Sequence, residues 1–424
     1  VKSLTKSTRS ELVSQDVHAH FSPPVANVLR DVRSAFFGLC IHAGKAVLGA
    51  MMEAERTALC GPKGVPDMGR AADRGGHTRS WVTLGGRRIA IARPRARAID
   101  AGELALPSFS WAAHADPLNA ATMAAMAAQV STRRYQSTLD ALPVGEIEAA
   151  VSKSAVSRRF VALSAERLRH WLSRRIEGAL PGVMVDGIHF QERVVLVALG
   201  FDAQGRKHVL GIREGSTEKA AVVRALLAEL IDRGLGPDTP RLWVIDGAKA
   251  LRRAIPETFG ESALVQRCQE HKRRNVLDHL PEALHASVGR ALRDAWQTKD
   301  AVLAQRQLER LASSLSKNHP GAAASLREGM QETLTLIHLG IDEALYRTFR
   351  TTNPIENLNG LIAHYTRNVK RWRDGEMLMR WVGTALHEAR RGFRAVRGYR
   401  DMKLLTHALV KRVRASFDVQ SKVA

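Results

Sequence analysis

Residues 183–190 read VMVDGIHF. The run is apolar enough for a buried strand, yet it carries a carboxylate, Asp186, followed by Gly187. A desolvated, unpaired carboxylate is costly, so this acid needs either a wet position or partners. RLWVIDG (241–247) repeats the pattern, an apolar strand ending in Asp246-Gly247. If the two strands run side by side in parallel, both carboxylates fall at one sheet edge, where open α/β sheets build ligand sites. Structural readings compete. Asp186 also suits a turn between strands, and Asp246 suits the N-cap of a helix beginning DGAKALRRAI.

Working outward, RVVLVALGFD (193–202) and RKHVLGIREG (206–215) read as two further strands, joined through DAQG as a hairpin. TEKAAVVRALLAELIDRG (217–234) is an amphipathic helix with Leu226, Leu227, Leu230 and Ile231 on its buried face. ALVQRC (263–268) is a short fifth strand. Three strands, a helix, a strand, a helix and a strand predict an α/β mixed sheet covered by helices. Residues 269–345 read as all helical, with breaks near Pro281, Lys299 and Pro320, and a last helical region starts at Asn353.

Toward the N-terminus, residues 22–60 are helical by periodicity, and 61–79 should be a glycine-rich loop. Residues 81–99 form a basic hairpin around Gly85-Gly86, its second strand ended by Pro94. Three helices follow over roughly 117–177. The second starts at Ser131 or Thr132 and the third is capped by Ser152 or Ser154. The short helices and the SKSAVSRR start suggest a helix-turn-helix, whose second helix would enter the major groove; an ordinary helical hairpin with a basic face fits the same pattern. Arg133 and Arg134, with Ser152, Lys153, Ser154, Arg158 and Arg159, are the candidate DNA contacts.

Charge supports that reading. Lys and Arg total 64 against 42 Asp and Glu, giving +22 in 424 residues. Such a balance favours a polyanion, with nucleic acid the default partner, although ribosomal, membrane-surface and heparin-type binding fit charge alone. Residues 367–414 hold 14 Lys or Arg and 4 Asp or Glu, a net +10 (14 − 4). There Lys370, Arg371 and Arg373, further candidate DNA contacts, flank Trp372. Three cysteines form no disulfide framework, the N-terminal residues lack a signal-peptide core, and no apolar run spans a bilayer. A soluble protein of the bacterial cytoplasm, associated with the nucleoid, is expected.

A third acid lies in RTTNPIENLNG (350–360). Asn353 as N-cap, Pro354 at the first helical position and Glu356 three residues on have capping-box spacing. Glu356 therefore either caps its own helix or projects toward the two aspartates. Three carboxylates around one point repel unless cations join them, and hard oxygen ligands select Mg²⁺ or Mn²⁺. Two such ions per site clamp the attacking and leaving oxygens of a phosphoryl displacement. CQEH (Cys268, His271) is half of a zinc pattern, with no second pair at suitable spacing. His271, His189 and Lys249 are auxiliary candidates near the acids.

Taken in order, VDGIHF, VIDGAKAL, QRCQEHKRRNVLDHLP, RTTNPIENLNG and NVKRWRDGEM resemble the signature blocks of the Mutator-type bacterial insertion-sequence transposases. The resemblance implies an RNase H-like catalytic core with Asp186, Asp246 and Glu356 as its DDE triad, 60 (246 − 186) and 110 (356 − 246) residues apart. It further implies terminal-repeat recognition by the N-terminal part, a role for Cys268 and His271 that spacing does not reveal, and strand cleavage followed by strand transfer. No nucleotide cofactor is expected, and a homodimer should pair two element ends on double-stranded DNA. The expected domains are 1–110 (N-terminal helical region and hairpin), 111–180 (helix-turn-helix), 181–275 (first part of the core), 276–345 (helical insertion) and 346–424 (Glu helix and basic C-terminal helices). A non-catalytic DNA-binding regulator on the same scaffold is the alternative. A glycoside hydrolase with paired acids fits poorly with a basic chain holding only 5% aromatics.

Overall fold

The computed structural model describes residues 23–65, 68–99, 102–115, 148–149, 153–215 and 220–420. The chain divides into two compact units, one of residues 1–125 and 132–156 and one of 126–131 and 157–424. The proposed first helix of the helix-turn-helix, with Arg133 and Arg134, lies outside the described residues, as does Ser152.

In the first unit, helix α1 (Pro23–Cys60) precedes an antiparallel hairpin, β1 (Ala72–Leu84) and β2 (Arg87–Ala98), turning at Gly85-Gly86. Ile41, Leu48 and Met52 of α1 pack on Val82, Leu84, Ile89 and Ile91. Both strands are longer than the sequence suggests. Residues 72–79, expected in a loop, pair with 92–98 of the second strand, so the turn-rich composition there does not end pairing. Pro94 does not stop β2 either. It sits opposite His77 beside a register shift, and β2's outer edge there lies between its short pairings at Arg88–Ile89 and Ala96–Arg97. A missing N–H costs little at such a place. Arg93 and Arg95 are paired with Glu103 at 2.6 and 2.9 Å, which offsets part of the hairpin's charge.

The second unit is built on a five-stranded mixed sheet. The first unit also holds β3 (Glu103–Leu104) and β4 (Glu148–Ala149), both paired with β2, and α2 (Pro107–His114); after α3 (Lys153–Ser173) the sheet of the second unit comprises β5 (Gly182–Phe190), β6 (Arg193–Phe201), β7 (Lys207–Gly215), β8 (Arg241–Ile245) and β9 (Ala263–Arg267). The strand order is β7-β6-β5-β8-β9. The first three strands are antiparallel; β8 runs parallel to β5, and β9 parallel to β8. Strands buried on both faces read as continuous apolar runs, and β6 (RVVLVALGF) and β8 (RLWVI) do so.

Alternation sorts the side chains. Val183, Val185, Trp243 and Ile245 face one layer, with α4 (Ala220–Asp232) and α5 (Lys249–Phe259). Leu226, Leu227 and Leu230 are fully buried there as expected, while Ile231 is only half-buried. Met184, Ile188, Phe190, Leu242 and Val244 face the other layer.

After β9 come α6 (Gln269–Leu277), α7 (Glu282–Gln297), α8 (Ala301–Leu315), α9 (Pro320–Arg327), α10 (Thr335–Leu339) and α11 (Glu343–Phe349). The breaks fall where Pro281, Lys299 and Pro320 predict them. These helices do not stand off as a separate lobe: Val276, Leu292, Leu308 and Leu326 share one core with Met184 and Val244. Buried polar groups lock the junction. Gln269 donates to the Thr333 carbonyl at 3.0 Å, Tyr346 to the Trp296 carbonyl at 2.6 Å, and Trp296 to Thr333 Oγ1 at 3.1 Å. The chain ends with α12 (Asn353–Thr366), α13 (Gly375–Arg391) and α14 (Met402–Gln420). The later part of α3 packs on α13, with Phe160 and Trp381 rings 4.7 Å apart. Ser154 lies inside α3 and does not cap it. No described helix is long and apolar enough to cross a membrane.

Candidate active site

The parallel pairing of β5 and β8 aligns Gly182 with Leu242, Val183 with Trp243 and Met184 with Val244, an offset of 60 (242 − 182). Asp186 and Asp246 each follow two residues after the last aligned pair, Met184 and Val244. Asp186 has the parity of Met184 and faces α12, where Asn359 meets it, and Asp246 lies just past the end of β8. Both are half-buried. The two strands do not end alike. β8 stops at Ile245, whereas β5 runs on to Phe190 because Ile188 and Phe190 are buried and pair onward with β6. Asp186 therefore sits in mid-strand, at the point where the parallel partner ends.

Local chemistry sets Asp246. Its Oδ1 accepts the Ala248 N–H at 2.8 Å, an aspartate turn two residues long. Ala248, not Asp246, is the N-cap of α5. Gly247 is required here: its φ is +107°, and a Cβ would fall 2.2 Å from Arg267 Nε. An L side chain is strained at that φ and would collide with the buried arginine.

Glu356 enters from the first turn of α12. The capping reading needs correction. Thr352, not Asn353, occupies the N-cap position, and its carbonyl accepts the Glu356 N–H at 3.0 Å. The Thr352 hydroxyl donates to Glu356 Oε1, so the carboxylate is held by the residue before the helix. One turn on, Asn359 Nδ2 donates to Asp186 Oδ2 at 2.9 Å. That bond ties the glutamate's helix to the aspartate's strand. Neither Asn359 nor Thr352 was identifiable from sequence as a site residue. The available signal was spacing, since Asn359 follows Glu356 by three residues and shares its helix face.

His271 completes the cluster from α6. Its Nδ1 lies 3.7 Å from Glu356 Oε1 and 3.2 Å from Thr352 Oγ1. Cys268 is the N-cap of α6, its buried sulfur 3.5 Å from the His271 backbone nitrogen. The hydrogen bond with Cys268 raises the His271 pKa; burial opposes this, and the charges of Cys268, Glu356 and Asp246 reinforce it. Burial disfavours the Cys268 thiolate, but hydrogen bonds with His271 and Thr352 outweigh it and draw the thiol below its ordinary value.

Two sequence candidates sit differently. His189 is exposed and, by alternation, faces away from Asp186 on the same strand. Lys249 is exposed at the start of α5, three residues after Asp246. Lys370, Arg371 and Arg373 are exposed in the link between α12 and α13. Trp372 packs edge-on against Phe190 at 5.3 Å, and Gln191 donates to the Lys370 carbonyl at 3.3 Å. The basic link is thereby fastened to the end of the strand that carries Asp186. Ser154 and Arg158 are exposed on α3 and Arg159 is half-buried; Lys153 is its first residue.

The donor set suits a hard divalent ion. Asp186 meets Asn359 of α12, Glu356 stands beside Thr352 and His271, and Asn359 Oδ1 is buried without a hydrogen-bond partner. Mg²⁺ and Mn²⁺ favour oxygen ligands of this type.

Comparison with known proteins adds an independent line. A family model described as Transposase, Mutator family, matches residues 30–395. The transposase for insertion sequence element ISRM5 of Rhizobium meliloti is 27% identical over 369 residues, 84% of this chain and 89% of that protein. The transposase for insertion sequence element IST2 of Acidithiobacillus ferrooxidans is 30% identical over 224 residues, 51% of this chain and 74% of that one. The transposase for insertion sequence element IS406 of Burkholderia multivorans is 31% identical over 273 residues, 61% of this chain and 67% of that one.

Proposed function

The chain belongs to the Mutator family of transposases, and from that premise we propose that it binds the terminal inverted repeats of an insertion sequence, cleaves DNA there and joins the freed 3′-OH to a second phosphodiester. What supports this reading most is the parallel pairing of β5 with β8, after which Asp186 and Asp246 follow at one offset of 60 residues, with the Glu356 helix tied to Asp186 through Asn359. We read the mixed sheet, three antiparallel strands followed by two parallel ones, as an RNase H-like core.

Asp186, Asp246 and Glu356 would hold two Mg²⁺ or Mn²⁺ ions. Bound there, the cations would supply charge stabilisation for the attacking and leaving oxygens of an in-line displacement. The chain's own residues do the positioning. Asn359 orients the Asp186 carboxylate, Thr352 fixes Glu356, and the Asp246 turn aims that acid from the end of β8. Pre-set donors of this kind avoid reorganisation during reaction. Lys370, Arg371 and Arg373 would contact phosphates close to the scissile bond. Their charge supplies affinity without sequence information; α3 would read the element end. No ATP is required, because strand transfer exchanges one phosphodiester for another. Two ends must be joined in one event, so a homodimer on DNA follows.

The test is incubation of the protein with its flanking terminal DNA in Mg²⁺, Ca²⁺ or EDTA, with products mapped on each strand. Nicking at the element end in Mg²⁺, binding with little cleavage in Ca²⁺ and none in EDTA are expected, since the larger, loosely coordinated Ca²⁺ fits in-line geometry poorly. Full cleavage in EDTA would rule out the cation-dependent reading.

A further inference from the structure

Cys268, His271 and Glu356 each offer one ligand atom, and the three atoms lie within 4.8 Å of one another. The sequence shows only the Cys-x-x-His half of this group; the fold adds Glu356 from a helix 82 residues downstream (353 − 271). Cysteine sulfur and imidazole are not ligands that Mg²⁺ selects. They suit zinc and cobalt, which also accept a carboxylate. Three protein ligands leave one tetrahedral position open, the pattern of exchangeable zinc sites rather than closed structural ones.

We propose that Cys268, His271 and Glu356 form a binding site for a divalent ion of the zinc and cobalt class, and that filling it withdraws Glu356 from the carboxylate set it shares with Asp186 and Asp246. Binding releases the Cys268 proton to solvent. The effect on DNA cleavage rests on the role proposed above for Glu356; the binding itself does not. One carboxylate then serves two competing ions, so Zn²⁺ inhibits in the presence of Mg²⁺.

The test uses the full chain with Co²⁺ as the probe. One equivalent should bind with thiolate-to-cobalt charge-transfer absorption in the near ultraviolet, displaced by Zn²⁺ and not produced by Mg²⁺. Cys268→Ser should abolish the band, whereas Cys40→Ser and Cys60→Ser keep it. His271→Ala and Glu356→Gln should each weaken Co²⁺ binding by at least about tenfold; the half-exposed His271 gives a readout should Cys268→Ser fail to fold. Absence of the band in the wild-type chain, or its full retention in Cys268→Ser or His271→Ala, overturns the site. In cleavage with Mg²⁺, the half-inhibiting Zn²⁺ concentration should rise at least about tenfold in Cys268→Ser, and an unchanged value overturns the competition. The cobalt band needs no DNA chemistry. A band without any cleavage activity defeats only the transposase reading, and cleavage without the band defeats only this inference.

Discussion

Replacing Asn359 with alanine would keep α12 and its hydrophobic face while removing the donor that Asp186 Oδ2 accepts at 2.9 Å. Groups that orient metal-binding carboxylates are typically worth about 10–100-fold, so Asn359→Ala should slow single-turnover cleavage by about that factor. DNA affinity, set by basic residues elsewhere, should hold. Equal rates for variant and wild type would show that Asp186 needs no such support. At this scale the sequence offers the acids as candidates but gives no sign of the groups that hydrogen-bond to them. Asp186 and Asp246 announce themselves because VMVDG and WVIDG are near copies in apolar surroundings. Glu356 stood out within an ordered block, although a capping role explained it equally well. Asn359 and Thr352 act across the fold or across a helix start, and a polar residue on a helix gives no sign of which distant strand it will meet. His189 is near Asp186 in sequence but not on its face, because three residues along a strand reverse the face.

The β6–β7 hairpin shows how an element depends on one side chain. Asp202 starts its turn and accepts from the Gln204 and Arg206 backbones, from Arg206 Nε at 2.7 Å and from His208 at 2.8 Å. Burial works against the charged form, but these bonds, led by His208, hold the pKa at about 2. A carboxylate with a depressed folded-state pKa stabilises the fold fully above its unfolded value and loses that contribution as pH falls through the folded one. Relative to the ordinary 3.8, this is about 2 kcal/mol. Thermal melting of Asp202→Asn should therefore show a loss of about 2 kcal/mol at pH 7, and the gap from wild type should close between roughly pH 4 and pH 2. A gap that stays constant with pH would place the effect elsewhere than the charge. Strands and helices of the second unit were readable from period and turn residues, including the breaks at Pro281 and Pro320. The first hairpin is longer than its composition suggests. Composition predicts a loop at 72–79 and a stop at Pro94, but cross-strand pairing and an open outer edge extend both strands.

At the level of the whole molecule, a net charge of +22 sets the expectation that DNA binding is steeply salt-dependent. Arg371→Ala should weaken binding to element ends and to random DNA alike and lower the salt slope by about 1. Arg158→Ala on α3 should weaken binding to the element end more than to random DNA. Equal losses at Arg158 on both substrates would remove the reading helix from this segment. The mixed sheet and the helical stretch between β9 and α12 could be foreseen from element order. That those helices would share one core with the sheet could not, because their apolar faces do not reveal which surface they cover. On the proposed function, Asp186, Asp246 and Glu356 work as one cation-holding centre for DNA cleavage. This is tested most directly by measuring end binding and strand-resolved cleavage, in the same samples, for Asp186→Asn, Asp246→Asn and Glu356→Gln. Each substitution removes a charge with almost no change in shape. Near-normal binding with cleavage and joining abolished is expected in all three; a folded variant that cleaves at the wild-type rate would show that the three acids do not act as one centre.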